Sequence, residues 1–354
     1  VVVAGAASAN MDLSFRWFAG RDPVTLAQIR QIPAMQGVVT ALYHLAPGQL
    51  WPRAQLAGLR REIETAGLQW TVAESLPVHE DIKLGRPSRD RLIETYCENI
   101  RRLGEVGVSV ICYNFMPLFD WMRTDLAMTL PDGSNAMQYD HDQLAHIRDP
   151  WEADLPAYFP LDESPDELKT AYFALTKDDL WANLAYFLAG VVETAAEAQI
   201  KLAIHPDDPP WPLFGLPRMI TDAASLARLV DAVDHPANGI CLCTGSLGVD
   251  PANDLAAMVR QFGDRIYFVH CRNIKRTGAK QFHEVAHPLS QGDIDLPAVM
   301  AALRDVDFRG PLRPDHGRMI WGETGIPGYG LYDRALGATY LLGLWEGLSA
   351  GRRA

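Results

Sequence analysis

A single α/β domain of eight strand–helix units closed into a (β/α)8 barrel is the fold this sequence predicts, and three observations predict it. Short apolar or β-branched runs alternate with amphipathic segments along the chain. Runs such as VSVICYNF and RIYFVHCR are apolar almost without interruption, which suits parallel strands covered on both faces. The chain has 354 residues, more than the ~250 that a TIM barrel of eight units usually needs. The surplus leaves room for one long insertion.

The strands are expected at residues 13–18, 37–43, 68–75, 108–115, 201–205, 239–244, 266–273 and 310–315. Between them the apolar residues keep helical spacing, as in Leu255, Met258, Val259 and Phe262, or Leu296, Val299, Met300 and Leu303. Residues from about 116 to 165, after the fourth strand, mix Pro, Gly, Asp and aromatic side chains without a clean period. In a barrel the loop after a strand opens on the active-site face, so this insertion is expected to be a lid, a dimer arm or a plain surface excursion. No internal repeat or low-complexity linker divides residues 11–354, which are read as one catalytic domain. The first ten residues, VVVAGAASAN, lack the basic start of a secretory signal and are expected to be an extension outside the fold.

Composition narrows the function. The chain is 48% hydrophobic and 21% charged, which excludes disorder, and its net charge of −12 argues against nucleic acid or an anionic membrane as partner. No apolar run approaches the ~18 residues of a membrane span. Five cysteines without CxxC spacing suggest a reducing compartment, the cytoplasm, rather than a disulfide scaffold. GxGxxG, P-loop and GxSxG motifs are all missing.

The chemistry gathers at the C-terminal ends of the expected strands. His205, Cys243, His270 and Asp315 each end or nearly end one strand, and successive members are one βα unit apart. Four consecutive units thus deliver imidazole, thiolate, imidazole and carboxylate to one rim. Mixed N, S and O donors suit a borderline ion such as Fe²⁺, Mn²⁺, Co²⁺ or Zn²⁺ better than Mg²⁺ or Ca²⁺. Strand alternation puts Cys241 on the same face as Cys243 but one layer deeper, and turns Cys271 away. Cys97, Cys112, Cys241 and Cys271 are read as small buried apolar residues. The same rim carries Tyr43, Glu74, His79, Glu80, Lys83, Asn114, Asp120, Arg123, Arg272, Asn273, His283, Glu284, His287, Arg313, His316, Arg318 and Tyr329. Such a rim fits a polyhydroxylated, anionic small molecule; each residue taken singly could also be a solvated loop group.

Ten stretches, SFRW, VHEDIKLG, CYNFMP, DWMRTDL, IHPDDPP, CTGSLG, VHCRN, FHEVAH, RPDHG and PGYG, closely resemble the mannonate dehydratase family of hexuronate catabolism, from about Met11 to the last helix. The resemblance implies a xylose-isomerase-like barrel, a hydro-lyase that converts D-mannonate to 2-keto-3-deoxy-D-gluconate and water, with Fe²⁺ or Mn²⁺ as cofactor and a homodimer as the assembly. It implies His205, Cys243, His270 and Asp315 as metal ligands, and His316 and Tyr329 as the catalytic acid and base, in an order left open. Tyrosine would need a nearby cation to act as base, for which Arg318, Arg123 or the metal are candidates. Substrate contacts are expected from Arg16, His79, Lys83, Asn114, Arg123, Arg272, Asn273 and Arg318, with Arg123 and Lys83 as carboxylate binders. The rival on the same barrel is a metal-dependent sugar isomerase or epimerase, against which the thiolate of Cys243 counts. A repair-type endonuclease conflicts with the charge, and a barrel with a purely structural metal conflicts with the cationic rim.

Overall fold

The structure is a computed structural model that describes residues 11–144, 146–147 and 164–350. The extension expected at residues 1–10 lies outside the described residues, as does much of the insertion's second half. Twelve strands are described: β1 (Asp12–Arg16), β2 (Gly37–Thr40), β3 (Gln69–Glu74), β4 (Val110–Tyr113), β5 (Asp125–Thr129), β6 (Asn135–Asp140), β7 (Lys201–Ile204), β8 (Asn238–Cys243), β9 (Ile266–Cys271), β10 (Asn273–Gly278), β11 (Gln281–Val285) and β12 (Pro311–Pro314). Eight of them close a barrel in the order β1-β12-β9-β8-β7-β4-β3-β2, every neighbouring pair parallel. All eight expected strands are there.

The helices form where the apolar period and the caps agree. In the helix Leu255–Phe262 the buried residues are Leu255, Met258, Val259 and Phe262, and the Asp254 carboxylate accepts from the backbone N–H of Ala257. In Leu296–Asp305, Leu296, Val299, Met300 and Leu303 are buried and Asp295 caps. Each such residue gains roughly 1.5–3 kcal/mol from leaving water, so one face per helix suffices to clamp it to the barrel. The interior of the barrel is a separate, smaller core of Val39, Val72, Val110, Cys112, Ala203, Cys241 and Phe268. Cys271 packs in the outer core instead, on the opposite face from its neighbour His270. No helix among the described residues is long and apolar enough to cross a membrane.

Two insertions join above the rim. The segment after β4 is not a loop without regular structure: it forms the hairpin β5–β6, which pairs antiparallel with β11 of a second hairpin, β10–β11, after β9. The resulting four-stranded sheet runs β10-β11-β6-β5.

At the start of β1, burial pushes the Asp12 carboxyl up from 3.8 to about 6. Burial disfavours the charged form, so between about pH 4 and 6 the native state binds a proton that the unfolded chain has lost, and stability falls as pH rises through that window. Asp12→Asn is therefore expected to stabilise the protein by ~1–3 kcal/mol near pH 8 and to change nothing below about pH 4. Urea unfolding at both pH values checks this; equal midpoints near pH 8 would refute it.

Candidate active site

The four metal-capable side chains meet at the C-terminal mouth of the barrel. His205 follows β7, Cys243 ends β8, His270 lies in β9 and Asp315 follows β12. One ligand atom each from His205, Cys243 and His270 lie within 4.8 Å of one another. Asp315 completes the group, with Oδ2 3.6 Å from Cys243 Sγ and Oδ1 3.9 Å from His270 Nδ1.

Local structure aims each donor. His205 Nδ1 lies 2.7 Å from the carbonyl of Pro206, so Nδ1 carries the proton and Nε2 keeps its lone pair for an ion. Cys243 caps the short helix Thr244–Gly248, its sulfur accepting from the Ser246 N–H and hydroxyl at 3.4 and 3.1 Å. His270 is fully buried, and its Nε2 reaches only Glu74 Oε2, at 3.4 Å, without satisfying a hydrogen bond. A buried imidazole with an unsatisfied ring nitrogen, next to a thiol, a second imidazole and the Asp315 carboxylate that faces its Nδ1, fits a borderline divalent ion.

Burial penalises the Asp315 carboxylate, but Arg313, His316 and Arg272 outweigh it and hold the group well below the usual range. Arg272 and Arg313 reach Asp315 at 2.6 and 2.7 Å. Gly245 is what lets Arg272 lie there, because a Cβ at that position would stand 1.8 Å from Arg272 Nε.

Next to these donors, His316 Nε2 is 2.8 Å from the Tyr329 hydroxyl and Nδ1 is 2.8 Å from Glu284 Oε1. A carboxylate can only accept, so Nδ1 donates to Glu284 and Nε2 faces the phenol. Arg272 Nη1 is 3.1 Å from the same Nδ1, yet its stronger partner is Asp315. Burial raises the Tyr329 phenol above its ordinary value although Arg16 pulls the other way. Phe18 packs edge-on against Tyr329 at 4.7 Å, and the Trp121 ring lies 5.3 Å from His316.

A cavity of about 460 Å³ opens on this constellation. Its wall includes His205, Asp315, His316 and Tyr329 together with Arg16, Asn114, Arg272, Arg313, Glu74, Asp120, Phe18 and Trp121. Three of the eight expected substrate contacts, Arg16, Asn114 and Arg272, thus face it. The other five, His79, Lys83, Arg123, Asn273 and Arg318, do not line it and are engaged elsewhere. Arg123 is fully buried, paired with both Asp208 oxygens at 3.0 and 3.1 Å and with Glu284 at 2.8 Å. Lys83 donates to Glu80 at 2.7 Å and to the Met116 carbonyl at 2.9 Å. His79 caps the helix Glu80–Lys83 and lines a separate small cavity. The Asn273 carboxamide serves the backbone of Ile274, His287, Pro288 and Ile294. Arg318 pairs with Asp333 and Asp132. The cations that act on Tyr329 are Arg16 and Arg313 electrostatically and Arg334, 5.4 Å from its ring, rather than Arg318 or Arg123.

Asp208 is the residue that sequence reasoning missed. It is buried, bridges Arg123 to Arg272 at 2.6 Å, and is held below the carboxylate range because those two guanidiniums outweigh its burial. Its position three residues past His205, at the end of β7, was the available signal.

Fold and site together define a xylose-isomerase-like TIM barrel with a group of metal-capable side chains and a cavity at its C-terminal mouth. That fold is shared, at 15% identity and a TM-score of 0.58, with a xylose isomerase domain protein from Planctomyces limnophilus, which covers 96% of this chain and 99% of that one. The chain belongs to the D-mannonate dehydratase (UxuA) family, whose model matches residues 11–354. It is 50% identical over 345 residues to mannonate dehydratase 2 of Halalkalibacterium halodurans, covering 96% of this chain and 100% of the relative. It is 52% identical over 353 residues to the mannonate dehydratase of Thermotoga neapolitana, covering 96% and 98%. The crystal structure of mannonate dehydratase from Streptococcus suis serotype 2 superposes with a TM-score of 0.88 at 47% identity, covering 98% of this chain and 95% of that one.

Proposed function

We propose that this chain is a hydro-lyase that converts D-mannonate to 2-keto-3-deoxy-D-gluconate and water, with Fe²⁺ or Mn²⁺ as cofactor, and works as a homodimer. The observation that carries the reading is the 2.8 Å pairing of His316 with Tyr329 beside a four-donor set, of which His205 and Asp315 line the same cavity. The reaction removes the weakly acidic proton at C2 and the hydroxyl at C3, leaving an enol that ketonises. His205, Cys243, His270 and Asp315 would hold the ion. When bound, it supplies positive charge against the negative charge that develops on the substrate carboxylate and the adjoining oxygen.

The protein's own groups do the rest. Arg16, Asn114 and Arg272 line the wall where a carboxylate and hydroxyls need partners. Glu284 fixes the His316 tautomer, so the ring presents Nε2 to the phenol and the cavity. His316 and Tyr329 then share the two proton transfers, one removing the proton at C2 and the other protonating the departing oxygen.

The test is to restore metal-depleted protein with Mn²⁺ or Fe²⁺ under reducing conditions, add D-mannonate and measure 2-keto-3-deoxy-D-gluconate. Metal-dependent product is expected, with Cys243→Ser lowering both bound metal and turnover at least ~100-fold. Folded, metal-loaded protein that forms no product would remove this reading in favour of another aldonate or an isomerisation.

A further inference from the structure

Below the four rim donors the barrel interior narrows to an apolar layer of Val39, Val72, Val110, Ala203 and Phe268, interrupted by two sulfurs, Cys112 from β4 and Cys241 from β8. Neither thiol has a place in the reading above. Both are buried, and both Sγ atoms lie with a ring nitrogen of His270 inside one group whose ligand atoms are all within 4.8 Å of one another. His270 therefore belongs to two donor groups, the upper one with His205 and Cys243 and the lower one with the two thiols. It is also the residue whose buried Nε2 has no hydrogen bond.

We propose that Cys112, Cys241 and His270 form a second, inner metal site that takes a thiophilic d¹⁰ ion such as Cd²⁺ or Zn²⁺ and, once filled, withdraws His270 from the upper donor set. Two thiolates and one imidazole are soft ligands, whereas the upper set adds a carboxylate and holds a single sulfur. Binding is a ligand exchange with no redox change: two S–H bonds break, two metal–sulfur bonds form, and two protons leave for solvent. Two thiolates and a dication sum to zero charge, so the filled site is compatible with walls of Val, Ala and Phe, where a lone cation would not be. Hard ions such as Mg²⁺ keep oxygen ligands and several waters, for which this layer offers no partner. A neutral imidazole has one free lone pair, so His270 serves one ion at a time. The two sites are then antagonistic, and a thiophilic ion would disarm the rim from below. This inference does not depend on which sugar acid the cavity accepts.

The experiment uses the chelator-treated full chain with Cd²⁺ as probe under a phosphine reductant, read by thiolate-to-cadmium charge-transfer absorption in the ultraviolet. Cys243→Ala, which leaves the inner layer untouched, is expected to keep the band at about one Cd²⁺ per chain, and adding Cys112→Ala is expected to cut it at least about twofold. A folded Cys243→Ala protein without the band, or a band that ignores Cys112→Ala, overturns the inner site. Paramagnetic resonance of Mn²⁺-loaded protein then tests the antagonism. Equimolar Cd²⁺ should release Mn²⁺ from wild type, while Cys112→Ala/Cys241→Ala should retain it about tenfold better. Equal release from both would place the competition at the upper set alone and refute the antagonism.

Discussion

His316→Ala and Tyr329→Phe each lower kcat by about 100-fold or more, the usual worth of one positioned acid or base, while the protein still binds its metal. The two groups form one hydrogen-bonded unit, so the effects should not add, and the double variant should be little worse than either single one. Tyr329→Phe removes only the oxygen that sits 2.8 Å from His316 Nε2 and leaves the ring packed against Phe18. Its loss of rate therefore reports on proton transfer rather than on packing. Burial raises the phenol above its ordinary value although Arg16 pulls the other way. Steady-state kinetics with bound metal measured on the same samples decide the matter. Near wild-type turnover in both single variants would exclude this pair from the reaction.

Arg123→Ala is expected to destabilise the fold by ~3–5 kcal/mol, because it strands two buried carboxylates. Asp208 and Glu284 both lose their shared partner, and both are fully enclosed. Their other cation, Arg272, is already divided between Asp208 and Asp315. Arg53→Ala is the control. It breaks an equally close ion pair with Glu105, but one whose two side chains are about half exposed, and its effect should be lost in experimental error. Chemical denaturation of both variants separates the cases. An Arg123→Ala protein as stable as wild type would mean that water enters to solvate the two acids.

The barrel and the grouping of its four metal-capable side chains were legible in sequence for the same reason. Strands buried on both faces write themselves as unbroken apolar runs, and side chains at their C-terminal ends must share a rim, so His205, Cys243, His270 and Asp315 could be grouped without coordinates. The small upper sheet was not legible. β5 (DLAMT) alternates between exposed and half-buried positions, and half of β10 (NIKRTG) is exposed. β6 pairs with β11, more than a hundred residues away, which no local pattern announces.

The surroundings of the cations were not legible either. An arginine on a loop looks the same in sequence whether it awaits substrate or is consumed by buried acids. Arg16 is itself paired with the buried Glu74 at 2.5 Å yet still lines the cavity, whereas Arg123 is enclosed between Asp208, in the loop after β7, and Glu284, in the insertion after β9. On β11, Phe282 and Glu284 share the buried face while His283 is only half-buried. The pairing of β11 with β6 is what selects the glutamate for His316.

That sheet also sets the order in which the molecule can become competent. Arg123 and Glu284 are 161 residues apart in the chain, and the barrel closes only when β12 reaches β1. Contacts of such long range carry a large loop-closure entropy and form after the local helices and neighbouring strands are in place. The charge network that steadies His316 is thus a late event of maturation. A chain still emerging from the ribosome can hold most of its barrel and yet have no working rim, because the glutamate lies on β11, after seven of the eight barrel strands.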